Sequence, residues 1–129
     1  MTTRPVLIAS AFTLGILGIT LTFFPQEVLH SFTQNYDSQF APITLQLMGA
    51  LYFGFAMINW TAKGTLIGGI YGRPIALGNL AHYAIGALGL LKAYTSDINT
   101  VFLVMTIYYS LFAMLFGYLF TTHPAKKES

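Results

Sequence analysis

Four long apolar segments, at residues 6–24, 43–62, 75–93 and 101–121, constrain this chain more than any other feature of its sequence. Each has about 19 to 21 residues, which at a rise of 1.5 Å per residue spans a hydrocarbon core of about 30 Å. Only 8% of the residues are charged, whereas about a quarter are charged in soluble domains. The sequence therefore predicts an all-α polytopic membrane protein, in which residues 1–129 form a single antiparallel bundle of four transmembrane helices.

Two other interpretations of the apolar segments are less consistent with the sequence. A soluble four-helix bundle needs a polar outer face on each helix, and these segments are apolar all round. The first segment follows Arg4 as a signal peptide would, but its end, Phe23-Phe24-Pro25, offers no small-residue cleavage pattern. We expect this segment to be a permanent membrane anchor.

The basic residues predict an orientation, because Lys and Arg near membrane spans are retained on the cytoplasmic side. Four spans place five of the six basic residues on the side of the two termini, and only Lys92 on the other side. We expect both termini to be cytoplasmic. The five residues are Arg4, Lys63, Arg73, Lys126 and Lys127.

Composition also excludes several kinds of chemistry. The chain has no cysteine, which excludes disulfides, cysteine-ligated zinc and iron–sulfur clusters. No carboxylate lies inside a span, and His82 is the single histidine within one, so paired-carboxylate catalysis and metal ligation lack their ligands. The net charge of +2 is explained by basic residues retained on the cytoplasmic side of the membrane. The chain lacks the basic face that a nucleic-acid partner requires. The bilayer is the expected surrounding, and the identity of any cofactor stays unknown from the sequence.

Between the first two spans, residues 25–32 alternate apolar and polar side chains after Pro25. Proline is favoured in the first turn of a helix, where its missing N–H is no loss. We therefore predict a short amphipathic turn lying at the membrane interface.

Small and polar residues recur at helical spacing within the spans, and such residues let transmembrane helices approach closely. Because lipid cannot satisfy polar side chains, we expect these stripes to face inward. The predicted stripes are Ala11, Gly15, Gly18 and Thr22; Gly49, Tyr52, Ala56, Asn59 and Lys63; Gly78, Asn79, His82, Gly86, Gly89 and Ala93; and Thr106, Tyr109, Ser110, Ala113 and Gly117.

His82 lies about 13 Å along its helix from Arg73, near the middle of the membrane. An ionisable group at that depth is a functional-site hypothesis. The inward stripes predict one pocket lined by Tyr52, Asn59, Asn79, His82, Tyr109 and Ser110.

Several functions are consistent with such a pocket. The leading hypothesis is a small integral membrane protein that binds a lipophilic small molecule or a partner membrane subunit. A membrane enzyme acting on a lipid, quinone or sterol-like substrate would use His82 as acid and base. A transporter or channel would require a homo-oligomer, because four helices enclose almost no lumen. Alternatively, the polar residues only join the helices, at about 0.6 to 2 kcal/mol for each bond.

The loop between the second and third spans is rich in glycine and lies between Lys63 and Arg73. Backbone N–H groups and cations of this kind bind phosphate in anion nests, so the two residues are candidates for an anionic head group. The loop lacks the spacing of a nucleotide-binding motif.

A first span ending in Phe-Phe-Pro, an external loop, and Gly49-Ala50-Leu51-Tyr52-Phe53-Gly54 in the second span form a recognisable layout. This layout resembles the small four-helix bacterial inner-membrane proteins grouped as DoxX-like or left uncharacterised. The resemblance implies four helices and cytoplasmic termini, and it implies no catalytic residues.

Overall fold

The computed structural model describes residues 3–64, 72–94 and 99–122, and these residues are almost entirely helical. The chain forms α1 (Thr3–Phe23), α2 (Pro25–Phe32), α3 (Phe40–Thr61), α4 (Gly72–Ala93) and α5 (Thr100–Thr122), with a 3-10 turn at Ala62–Gly64. The all-α prediction is confirmed, and each predicted span lies within one long helix apart from its outermost residues.

Four of the helices, α1, α3, α4 and α5, are long and apolar enough to cross a membrane. Each of them exposes large apolar side chains, of which Phe12, Leu51, Ile85 and Met114 are 60%, 67%, 70% and 68% exposed. Soluble monomers rarely expose extended apolar surface. The helices are therefore suited to lipid as a solvent.

Local sequence signals explain where the helices begin and end. Phe24 has φ −127° and ψ 45°, which breaks the helix after α1, and Pro25 then occupies the first turn of α2. The predicted amphipathic turn at residues 25–32 is thus a short helix. Asp37 Oδ1 accepts hydrogen bonds from the backbone N–H groups of Gln39 and Phe40 at the start of α3, and Asn99 Oδ1 accepts one from Val101 at the start of α5.

Contacts group the chain into two compact units, residues 7–63 and residues 1–6 with 64–129. We call them the α1–α3 unit and the α4–α5 unit and describe each by itself. The single-domain and antiparallel four-helix arrangements stay predictions.

In the α1–α3 unit, glycines bring the backbones of α1 and α3 into contact. A Cβ atom added to Gly18 would lie 2.7 Å from the Phe53 nitrogen and 2.8 Å from the Gly49 oxygen. One added to Gly49 would lie 2.8 Å from the Gly18 oxygen and 2.6 Å from Thr22 Oγ1. Gly15 faces Ala56 more loosely. The order of these contacts shows that α1 and α3 run in opposite directions.

In the α4–α5 unit, aromatic rings fill the space between the helices. Tyr83 of α4 is fully buried, and its ring centroid lies 5.7 Å from that of Phe116 and 5.2 Å from that of Phe112. At one end of the pair, Arg73 lies 5.4 Å over the ring of Phe120. These contacts show that α4 and α5 are also antiparallel neighbours.

Candidate functional site

His82 and Tyr109 form a polar pair between α4 and α5. His82 Nε2 and Tyr109 Oη are joined by a hydrogen bond of 3.1 Å, whose direction depends on the imidazole tautomer. Tyr109 is 2% exposed, and His82 is partly buried. The structure thus brings together two of the predicted site residues.

Gly86 makes this pair geometrically feasible. A Cβ atom added to Gly86 would lie 2.6 Å from both Cδ1 and Cε1 of Tyr109. The Cδ1–Cε1 edge of the Tyr109 ring therefore approaches the helix backbone at a position that has no side chain. Gly89, one turn later in the predicted stripe, is exposed and would meet nothing within 4 Å.

Tyr83 is the residue of this cluster that sequence reasoning missed. Its ring centroid lies 5.0 Å from that of His82 and 5.1 Å from that of Tyr109. The predicted stripes counted small and polar residues, whereas the buried face of α4 is set by an aromatic ring that fits between aromatic side chains of α5. The signal in the sequence is a run of large rings at helical spacing opposite it: Tyr108, Phe112 and Phe116.

Two polar residues of the unit bond within their own helices. Asn79 is fully buried, and its Nδ2 donates to the carbonyl oxygen of Ile75 over 2.9 Å. Thr106 Oγ1 donates to the carbonyl oxygen of Phe102 over 2.7 Å. Such a bond satisfies one polar group of the side chain inside lipid through the helix itself. The two bonds indicate a structural contribution from both residues.

An open groove of about 530 Å³ lies along α4 and α5. Ser110 and Thr106 are among its lining residues, Tyr94 lies at one end, and the accessible surface of the groove is almost entirely apolar. The Ser110 hydroxyl makes no hydrogen bond within residues 3–64, 72–94 and 99–122, in contrast to that of Thr106. His82 and Tyr109 are not among the residues that line this groove. Its apolar lining consists of Leu91, Leu103, Ile107, Leu111 and Met114.

The other predicted site residues belong to the α1–α3 unit. Asn59 is fully buried and its Nδ2 donates to Ser10 Oγ over 2.9 Å. Tyr52 is partly buried. Asn59 is therefore part of a buried polar contact between α1 and α3. A single pocket combining Tyr52 and Asn59 with the four predicted residues of the α4–α5 unit stays a prediction.

The α1–α3 unit also has an open apolar groove, of about 360 Å³. Trp60 lines one end of it and meets Phe12 edge-on, with ring centroids 5.9 Å apart. The Lys63 ammonium nitrogen lies 3.2 Å from the centroid of the Trp60 ring. The rest of the lining includes Gly15, Ile16, Ile19, Phe53 and Met57.

The predicted anion nest falls mostly on residues 65–71, which lie outside the described residues. Its two flanking cations are described, and each lies over an aromatic ring of its own unit: Lys63 over Trp60 and Arg73 over Phe120. Head-group binding by Lys63 and Arg73 together stays a prediction.

Metal ligands do not cluster in the part of the chain that the structure describes. No group of three or more His, Asp or Glu side chains lies close enough there to hold an ion. Comparison with known proteins gives no family: no family model matches the chain, and neither curated proteins nor solved structures include a match. Function must therefore be argued from the geometry.

Proposed function

We propose that this chain is a small integral membrane protein of a bacterial cytoplasmic membrane that binds a lipophilic molecule in the groove of the α4–α5 unit. The ligand we infer is largely hydrocarbon and carries one hydrogen-bonding group, such as a carbonyl or a hydroxyl. The resemblance to DoxX-like proteins supports only the four-helix architecture in this proposal, and it supports no particular ligand.

The observation that carries the proposal is the Ser110 hydroxyl. Serine and threonine hydroxyls in transmembrane helices commonly bond to the carbonyl oxygen four residues earlier, and Thr106 and Thr121 do bond within their helix. Ser110 makes no such bond among the described residues. Leaving a hydroxyl unbonded in an apolar medium costs about 2 to 7 kcal/mol. A ligand polar group at Ser110 would remove that cost.

The lining supports a ligand of apolar character. Leucine, isoleucine and methionine side chains form most of the groove wall, and apolar pockets with few polar groups are typical of small-molecule sites. Tyr94 lies at the end of α4, where an aromatic ring with a hydroxyl is suited to the membrane interface. The groove could therefore be entered from the interface.

The test is to identify what co-purifies and to block the groove. Leu111 lines the groove and is 48% exposed, whereas Val104 on the same helix is 59% exposed and lies outside the lining. We expect mass spectrometry of extracts from the purified protein to show a lipophilic molecule that is lost from Leu111→Trp and kept by Val104→Trp. Ser110→Ala should weaken its retention about five- to tenfold, as expected for one hydrogen bond.

Three outcomes separate this proposal from its alternatives. Retention of the molecule by Leu111→Trp would contradict the groove. A protein that co-purifies in place of a small molecule, and is lost from Leu111→Trp alone, would make the groove a partner-subunit site. Solute flux in liposomes that depends on oligomer formation would favour transport.

A membrane enzyme is a second candidate function because of the His82–Tyr109 hydrogen bond. An imidazole joined to a phenol can hold or move a proton. If the purified protein turns over a lipophilic molecule that binds beside the His82–Tyr109 pair, and His82→Gln abolishes turnover while retaining that molecule, His82 acts in catalysis. Unchanged turnover in His82→Gln would exclude that function for His82.

A further inference from the structure

A cation lies at the end of the groove of the α1–α3 unit. Trp60 lines the groove, and the ammonium group of Lys63 lies 3.2 Å from the centroid of that ring. Lys63 makes no ion pair within the described ranges 3–64, 72–94 and 99–122. An apolar groove and an ammonium group without an anion are therefore adjacent within one unit.

The groove has dimensions suited to hydrocarbon. It follows α3 from Trp60 to Phe53, a distance of about 10 Å. Its walls include Ile16, Ile19 and Met57, and Gly15 keeps its floor free of a side chain. The pairing of an apolar groove with one terminal cation matches a molecule that has an apolar chain and an anionic head.

We propose that the α1–α3 unit binds an anionic phospholipid, with an acyl chain in the groove and the phosphate beside Lys63. Charge complementarity favours this occupant over a neutral lipid, since a basic residue near a membrane surface attracts anionic lipids. The ring of Trp60 holds the ammonium group at the groove end through a cation–π contact. Lys63 thus positions the head group and the groove positions the chain.

The chain contains a single tryptophan, and that residue lines the groove, so its fluorescence reports directly on the occupant. The experiment uses the purified full-length chain in phosphatidylcholine vesicles with added phosphatidylglycerol. Two samples are compared. In one the phosphatidylglycerol carries bromine atoms on its acyl chains, and in the other an equal mole fraction of the phosphatidylcholine does. We expect brominated phosphatidylglycerol to quench Trp60 fluorescence more strongly than brominated phosphatidylcholine. The difference should correspond to an affinity ratio of about five, as expected for one basic residue.

Lys63→Gln should reduce the affinity ratio to about one, and Lys63→Arg should restore the preference, because an attraction of this kind depends on charge. Lys92→Gln is the matched control: it removes one lysine at the end of α4 and should leave the ratio unchanged. Helix content by circular dichroism would show that the variants fold.

Three results would overturn the inference. Equal quenching by the two brominated lipids in the unmodified chain would show that the site has no charge preference. An equal loss in Lys63→Gln and Lys92→Gln would reduce the effect to general surface charge. Absence of quenching by both lipids would show that a protein segment covers the groove.

Discussion

At the scale of single residues, the contact between His82 and Tyr109 in the α4–α5 unit depends on the absence of a side chain at Gly86. Tyr109 lies against Gly86 and forms a hydrogen bond with His82 over 3.1 Å. Packed interiors tolerate little added volume, because neighbours must leave their preferred rotamers. The His82–Tyr109 pair is therefore sensitive to substitution of a residue that makes no polar contact itself.

Gly86→Ala should destabilise the protein by about 1 to 3 kcal/mol, because the added methyl group would displace the ring of Tyr109. Gly89→Ala, for which the added atom meets nothing within 4 Å, should be neutral or stabilise by up to about 1 kcal/mol through helix propensity. Unfolding in sodium dodecyl sulfate would measure both free energies. The ¹⁵N chemical shifts of the His82 ring should change only in Gly86→Ala. The same unfolding midpoint for both variants would contradict the contact between Gly86 and Tyr109.

Asp37 makes the start of α3 dependent on pH. Backbone N–H groups of Phe40 and Gln39 donate to its carboxylate and lower its pKa from the ordinary value of 3.8. A lowered pKa means that the carboxylate stabilises the folded state above pH 3.8. That stabilisation is lost as the pH falls through the lower pKa of the folded protein.

In a nuclear magnetic resonance titration in micelles, the Asp37 carboxyl carbon and the Phe40 amide proton should share a midpoint below pH 3.8. Asp37→Asn supplies an acceptor oxygen that does not titrate, so the Phe40 amide should lose its pH dependence in this variant. A midpoint at or above 3.8 in the unmodified protein would show that the two hydrogen bonds do not form.

At the scale of helices, backbone contact between α1 and α3 organises the α1–α3 unit. Gly18 and Gly49 allow the two helices to touch, and Ser10 and Asn59 add a buried hydrogen bond of 2.9 Å. Small residues are the usual means of association in lipid, where no hydrophobic driving force acts between helices. The unit combines close packing with one polar contact.

Gly18→Ala should destabilise this pair by about 1 to 3 kcal/mol, because backbone atoms, which cannot rotate away, lie under 3 Å from the added carbon. Gly15→Ala is the matched control on the same helix. Its added carbon would lie 3.6 Å from the Ala56 Cβ, an ordinary contact. This change should be neutral or stabilise by up to about 1 kcal/mol through helix propensity. Unfolding in detergent would measure the free energy of unfolding of both variants. A greater loss of stability in Gly15→Ala than in Gly18→Ala would contradict the close packing of α1 against α3 at Gly18.

At the scale of the whole molecule, four apolar helices and the distribution of basic residues predict how the chain crosses the membrane. The absence of cysteine from the sequence makes this prediction simple to test, because each introduced thiol is the only one present. Gln34 lies exposed in the connection before α3, and Gly64 lies exposed after it. These positions are expected on opposite sides of the bilayer.

A membrane-impermeant maleimide should label Gln34→Cys in intact cells, and it should label Gly64→Cys only after the cells are opened. The physical reason is the retention of Lys and Arg on the cytoplasmic side, here Lys63 and Arg73. The reverse pattern would show that the termini face outward.

Several features could be predicted from particular residues. Proline limits where a helix begins, so Pro25 located α2 correctly. Helical spacing of small and polar residues correctly placed Gly18, Gly49 and Asn59 on buried faces, since these residue types avoid lipid or allow close approach. Periodicity alone did not locate Tyr83, because an aromatic ring can face either lipid or a neighbouring helix.

The sequence by itself determined the number and extent of the long helices, because crossing a bilayer requires about 20 consecutive apolar residues with every backbone group bonded internally. Only the tertiary structure decided how the inward polar residues are used. It paired His82 with Tyr109 and Asn59 with Ser10, and it bonded Asn79 to its own helix. The physical reason is that a polar side chain in lipid must find a partner, and the rotation of each helix, set by packing around glycines and Tyr83, decides which partner is within reach.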